Sequence, residues 1–221
     1  MSIVTGLYAA RPGVLEPGGE RSAILKQPLT RATVTRLGIV GDEQADRRYH
    51  GGPDQALHQF AQASYARICR ERPELAGIAV SGSIGENLSC PAFDEENVCI
   101  GDRYRIGGVE LEVSQPRRPC SKIDARYGVH GLARFIDAQR IPGWYLRVCR
   151  EGEIALGDSV TLVARPNPAL SVARLLAILA AHRPAASDLQ LLLDCAGLGA
   201  DWRRRIRERL DFIAREAGAA P

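Results

Sequence analysis

The sequence predicts a mainly β protein with peripheral helices: an antiparallel β-barrel over residues 1–165, followed by a small C-terminal three-helix segment over residues 166–221. Three observations lead there. Before about residue 165 the apolar residues fall in short runs rich in β-branched side chains and broken by glycine and proline. One of these runs, Val109-Glu110-Leu111-Glu112-Val113, alternates strictly, as a strand with one wet face does. After "VARPNPAL" the apolar spacing changes to threes and fours. Many short strands with few helices between them make a barrel or a sandwich.

The strand-like runs are "SIVTGLY", "RATVTRLGI", "RYRIGGVELEVSQ" and "GWYLRVCREGEIALGDSVTLVA", with tight turns at "REGE" and "LGDS". Helical patterns interrupt them at Gln62–Arg72 and Gly131–Gln139. In the tail, Ser171, Ser187 and Asp201 are the expected caps, and Gly197 and Gly218 the stops of the second and third helices. Trp202, Ile206, Leu210, Ile213 and Ala217 form one stripe of the last helix, opposite Arg203, Arg204, Arg207 and Arg215. Glu208, Asp211 and Glu216 interleave with those arginines, which marks a solvated face rather than a nucleic-acid surface.

Composition excludes several classes. With 45% apolar and 25% charged residues among 221, the chain can bury a sizeable core. A net charge of +3 calls for no polyanionic partner, so no nucleic-acid polymer is expected. The most apolar stretch, Leu170 to Ala181, contains Arg174 and is too short to span a membrane. The start, "MSIVTGLYAARPG", does not read as a signal peptide. Cys69, Cys90, Cys99, Cys120, Cys149 and Cys195 form no C-x-x-C pair, which argues against zinc-ribbon, dithiol and iron–sulfur sites. Reduced cysteines and a cytoplasmic location are expected.

Cys120 differs from the other five. In "SQPRRPCSKID" it sits beside Arg117, Arg118 and Lys122, with no acid before Asp124. Nearby cations favour thiolate, the form that attacks electrophiles and binds metals. A second polar concentration, "GIVGDEQADRRYHGGPDQALH", packs Asp42, Glu43, Asp46, Arg47, Arg48, His50 and Asp54 around four glycines. Gly51 and Gly52 let the backbone turn and aim N–H groups at an anion, although a plain turn explains "HGGP" taken alone. A third, "GSIGENLS", carries Glu86 and Asn87 at a turn entering a strand.

Together and in this order, "GDEQADRRYHGGPDQAL", "IGENLS" and "VSQPRRPCSKI", followed by "GWYLRVCREGEIALGD" and the tail's "AGLGADWRRR", resemble the MOSC domain family. The closer resemblance is to its YiiM-like branch, which acts on N-hydroxylated bases. Arg118 is a local departure, standing where a smaller residue is expected before the Pro–Cys pair. The resemblance implies a MOSC-type barrel and a molybdenum cofactor, the metal held by Cys120 and by the dithiolene of a pterin. A soft thiolate suits such a metal. It further implies that Arg117, Lys122, Lys26, Gly51 and Gly52 hold the cofactor's phosphate and pterin, and that Glu86 and Asn87 meet the pterin ring or place substrate. The implied reaction reduces R–NHOH to R–NH2, with His50 as proton donor and Glu86 as second choice. No flavin or nicotinamide fingerprint is present, so electrons are expected from a separate reductase or ferredoxin-like protein, for which the helical tail is a candidate dock. Two alternatives stand beside this: a non-catalytic carrier of cofactor or sulfur, and a cysteine-nucleophile enzyme with His50 as base.

Overall fold

A computed structural model describes residues 2–16, 18–46, 48 and 50–218. Arg47 of the polar cluster and the side chain of Ala217 lie outside the described residues. The first half of the chain supplies β1 (Ser2–Ile3), β2 (Gly6–Ala9), the β3 (Gly13–Leu15) and β4 (Glu20–Ser22) hairpin, β5 (Gln27–Pro28), β6 (Arg31–Thr35), β7 (Gly38–Ile39), β8 (Leu57–Gln59) and β9 (Leu88–Ser89). The second supplies β10 (Arg103–Ile106), β11 (Val109–Pro116), β12 (Trp144–Arg150), β13 (Gly152–Ala155) and β14 (Ser159–Ala164). Nine of these form one sheet in the order β1-β14-β10-β11-β12-β8-β9-β2-β5, which curls into a half-barrel. Its pairs are antiparallel except at Gln59–Leu88, where β8 and β9 run parallel. A second sheet, β13-β6-β7, shares its core, so Ala32, Val34 and Ile154 join Leu111, Val113, Leu146 and Val148 in one cluster.

The helices are α1 (Gln62–Glu71), α2 (Lys122–Tyr127), α3 (Leu132–Ala138), α4 (Val172–Ala180), α5 (Ala186–Asp194) and α6 (Ala200–Gly218). The barrel-with-helical-tail expectation is met, with three local differences. Glu112, read as facing water, is only 7% exposed. The tail covers that face of β11, and Glu112 is compensated by Arg103 at 2.8 Å and Arg147 at 2.5 Å. α2 was not expected: six residues are too few to show a helical period, and its left-handed C-cap, Gly128, is its clearest local signal. Ser171 caps α4 by accepting from the Arg174 amide at 3.1 Å, whereas Ser187 lies inside α5, whose N-cap is Ala185, and Asp201 lies inside the first turn of α6, which begins at Ala200.

The tail is bolted to the barrel. Val172, Leu175, Leu189, Leu192, Leu193 and Ile206 belong to the same core cluster as the strands. The Gly199 amide donates to Ser114 O on β11 at 2.8 Å, and the Ala200 amide to Asp54 Oδ2 at 2.9 Å. Gln115 Oε1 lies where a Cβ on Gly199 would stand, so any larger residue there would have to displace that side chain. Arg147 bridges Asp54 and Glu112, and Arg203 donates to Leu193 O and Cys195 O at the end of α5.

Candidate functional site

A cleft of about 850 Å³ opens where the β3–β4 hairpin, the 42–51 loop, the end of β11 and the start of α6 meet. That size is in the range of small-molecule and cofactor sites. Cys120 lines it, half-buried, one turn past the point where Pro116 ends β11 and Pro119 keeps the chain from rejoining the sheet. His50 comes from a distant part of the sequence to meet Arg117 and Cys120 here. Burial pushes the Cys120 thiol up; a hydrogen bond with His50, the charge of Arg117 and the backbone N–H of Lys122 outweigh it and bring the thiol from 9.0 down to about 7. The thiol is lowered in the expected direction, but of the three neighbouring cations only Arg117 acts through its charge, and the hydrogen bond with His50 is the larger cause of the lowering. Arg118 is exposed, and the Lys122 ammonium is engaged by Glu20 of the β3–β4 hairpin.

Arg117 is held from two sides. Its amide donates to Gly143 O at 3.0 Å, and its Nη1 donates to Ile84 O at 3.0 Å. Behind these carbonyls stand two buried acids. Glu95 Oε1 accepts from the Gly143 amide at 2.8 Å, and burial, partly opposed by that N–H, raises this carboxyl to about 7. Glu86 accepts from Tyr65 OH at 2.7 Å and from the amides of Gly82 at 2.5 Å and Ile84 at 3.3 Å. Glu86, expected at the pterin or as a proton donor, is 0% exposed and turns inward, away from the cleft; burial raises its carboxyl although those donors oppose it. Its contact with the site runs through the loop that orients Arg117.

Lys26 does line the cleft, but inside a buried network. Its ammonium contacts Asp42 Oδ1 at 2.5 Å, and the two side chains are only 7% and 4% exposed. Burial lowers the lysine's pKa, and Asp42 resists the change. Asp42 Oδ2 accepts from Asn87 Nδ2 at 2.9 Å; Asn87 also donates to Tyr8 O and accepts from the His58 amide. Both amide hydrogens of Asn87 are thus committed to the fold. Gly51 and Gly52 both have φ near +90°, the left-handed conformation expected for "HGG", and Gly51 faces the cleft.

Sequence reasoning missed His58, Tyr145 and Trp202 as cleft residues. His58 and Tyr145 are cross-strand partners on β8 and β12, with ring centroids 5.4 Å apart. Burial, then the charge of Arg117, keeps the His58 ring neutral, far below its ordinary value. Nothing local marks these positions, because strand pairing rather than sequence proximity brings them to the cleft. Trp202 was placed on a packing stripe; it does pack on the core, and it also presents to the cleft.

A MOSC domain model matches residues 46–161, and a YiiM-like, 3-alpha helix domain model matches 170–212. A half-barrel so matched, with its thiol set among cations, is a molybdenum-cofactor-type domain. Protein YiiM of Escherichia coli (strain K12) is 37% identical over 195 residues, covering 87% of this chain and 86% of its own. A protein described as a reductase from Gibberella moniliformis is 38% identical over 185 residues, 82% of this chain but 32% of that much longer polypeptide. The crystal structure of YiiM from Geobacillus stearothermophilus superposes with a TM-score of 0.79 at 26% identity, over 95% of this chain and 100% of the other. That of Escherichia coli YiiM superposes at 0.76 and 29%, over 93% and 92%. The chain belongs to the MOSC domain family, in its YiiM-like branch.

Proposed function

We propose that this protein is a molybdenum-cofactor-dependent reductase of N-hydroxylated bases and related N-hydroxylated compounds, with Cys120 as the metal's protein ligand. The activated Cys120 thiol in a cationic cleft is the observation that carries this reading. The residues present fit such a group. Arg21, Arg117 and Arg118 line the cleft without an acidic ion-pair partner among the described residues, which suits a phosphate-bearing ligand. Cys120 would give a bound metal one soft sulfur ligand, with the cofactor supplying further donors.

When bound, the cofactor supplies the two-electron chemistry of R–NHOH + 2 e⁻ + 2 H⁺ → R–NH2 + H2O. The chain's own part is to bind, orient and move protons. Arg117, steadied through Gly143 and Ile84, faces the anionic portion of the ligand together with Arg118, Lys122 and the Gly51 turn. Lys26 and Asp42 stiffen this wall as a buried pair. His50, hydrogen-bonded to Cys120, holds the proton for the departing hydroxyl oxygen. Electrons come from a separate reductase or ferredoxin-like protein.

The hydrogen bond between His50 and Cys120 also suits a base and its nucleophile, which favours the cysteine-nucleophile enzyme as the second reading. One experiment separates the two. Protein made in a host that synthesises the cofactor is assayed for molybdenum and for reduction of 6-hydroxylaminopurine with a chemical electron donor. Near-stoichiometric molybdenum and turnover are expected. Metal-free protein that instead accumulates a covalent substrate adduct on Cys120 establishes the nucleophile.

A further inference from the structure

The cleft has two unlike walls. Its barrel side carries Arg21, Arg117 and Arg118, whereas its tail side is the first turn of α6. There Asp201 pairs with Arg204 at 2.5 Å and Arg205 at 2.7 Å, and Glu208 pairs with Arg204 at 2.8 Å. Arg204 and Arg205 are both committed to these carboxylates, so this wall asks less for an anion than the barrel side does. What it presents instead is Trp202, half-buried, with part of its surface packed on the core and part lining the cleft. The backbone that carries the indole is fixed, because the Gly199 and Ala200 amides anchor the start of the helix to Ser114 and Asp54, and the ring itself packs partly on the core.

We propose that Trp202 is a specificity-determining residue: its indole stacks on the ring of a planar, uncharged heterocyclic substrate and sorts such substrates from acyclic N-hydroxy compounds. The identity of the reacting group rests on the reductase reading; the stacking contact does not. A rigid aromatic face beside a cationic pocket receives a flat ring at low entropic cost, and base–aromatic stacking accounts for on the order of tenfold to a hundredfold in affinity per ring.

The test combines binding and turnover on the intact chain. Of the two tryptophans, Trp144 is fully buried, so quenching by a stacked ring reports Trp202. Titration with 6-hydroxylaminopurine is expected to quench wild-type fluorescence saturably. By equilibrium dialysis Trp202→Ala is expected to bind it about tenfold or more weakly, with Trp202→Phe within about fivefold of wild type. The preference in kcat/KM for this purine over acetohydroxamic acid falls by the same factor, mostly through KM. Should Trp202→Ala fail to fold, Trp202→Leu, which keeps apolar bulk against the core without a stacking face, decides. Unchanged affinity and unchanged selectivity in either variant overturn the proposal while leaving the reductase intact. Quenching and Trp202-dependent binding without any turnover sink the reductase reading and leave the stacking site standing.

Discussion

Replacing His50 by alanine tests the electrostatic core of the site directly. With its thiol at about 7, Cys120 is half thiolate at pH 7, whereas a thiol at 9.0 is roughly 1% ionised there. The fiftyfold excess of thiolate is partly offset by lower intrinsic nucleophilicity, about eightfold over two units, leaving roughly a sixfold faster alkylation than an ordinary thiol at pH 7. The midpoint of the pH–rate profile is a firmer measure than the rate, since access cancels. Site-resolved iodoacetamide labelling of cofactor-free protein, read by mass spectrometry, is expected to show Cys120 half-maximal near pH 7. Cys195 and Cys90, pushed by burial to about 11 and about 12, stay unlabelled in that range. A hydrogen bond to a charged group contributes about 1.5 kcal/mol or more, so removing His50 moves the Cys120 midpoint up by about one unit. A wild-type midpoint near 9, or a profile unmoved in His50→Ala, refutes the account of the thiol given above.

Cys120→Ser keeps the shape of the site but puts a hard, un-ionised oxygen where a soft thiolate stood; 6-hydroxylaminopurine reduction falls to background while the melting temperature drops by only a few degrees. Asp42→Ala strands Lys26 in a buried wall and is expected to cost about 3–5 kcal/mol in urea unfolding, and a loss below about 1 kcal/mol contradicts the buried pair. Glu95 has a carboxyl raised by burial from 4.5 to about 7, so the folded state holds its proton more tightly than the unfolded state does. Its penalty on stability is absent below about pH 4.5, grows as pH rises through that window, and is complete above 7. Glu95→Gln keeps an acceptor for the Gly143 amide and is expected to stabilise the protein at pH 8 by up to about 3 kcal/mol, with no difference from wild type at pH 4. Equal stabilities at pH 8 put that carboxyl back in the ordinary range.

Alternation made β11 readable, and the change of spacing after residue 165 made the tail readable, because each pattern records which side chains a local element must bury. What covers the second face of a strand is a tertiary matter, and Glu112 shows it: the same alternation that marked the strand also marked that residue as wet. Within the site, residue chemistry drew attention to Cys120, His50 and Arg117, and these do meet. It could not tell a ligand-facing polar group from one serving the loop behind. Glu86 and Asn87 sit in the expected motif, yet Glu86 faces Tyr65 and the Gly82–Ile84 backbone, and Asn87 is spent on Tyr8, Asp42 and His58. His58 and Tyr145 become neighbours only when β8 pairs with β12, and Trp202 reaches the cleft only when α6 docks on β11.

The pairing of β1 with β14, Ser2 opposite Val160 and Ile3 opposite Ser159, bears on the order in which the molecule assembles. The first strand of the sheet has no neighbour until a strand more than 150 residues later exists, and such distant contacts repay their loop-closure entropy late in folding. The cleft is later still, since its walls draw on residues from Arg21 to Arg205. A nascent chain stalled before α6 therefore offers a ligand only an unfinished pocket. Whatever the cleft holds meets its full set of walls only after the chain through Arg205 has been made and α6 has docked, so complete loading follows synthesis of both parts.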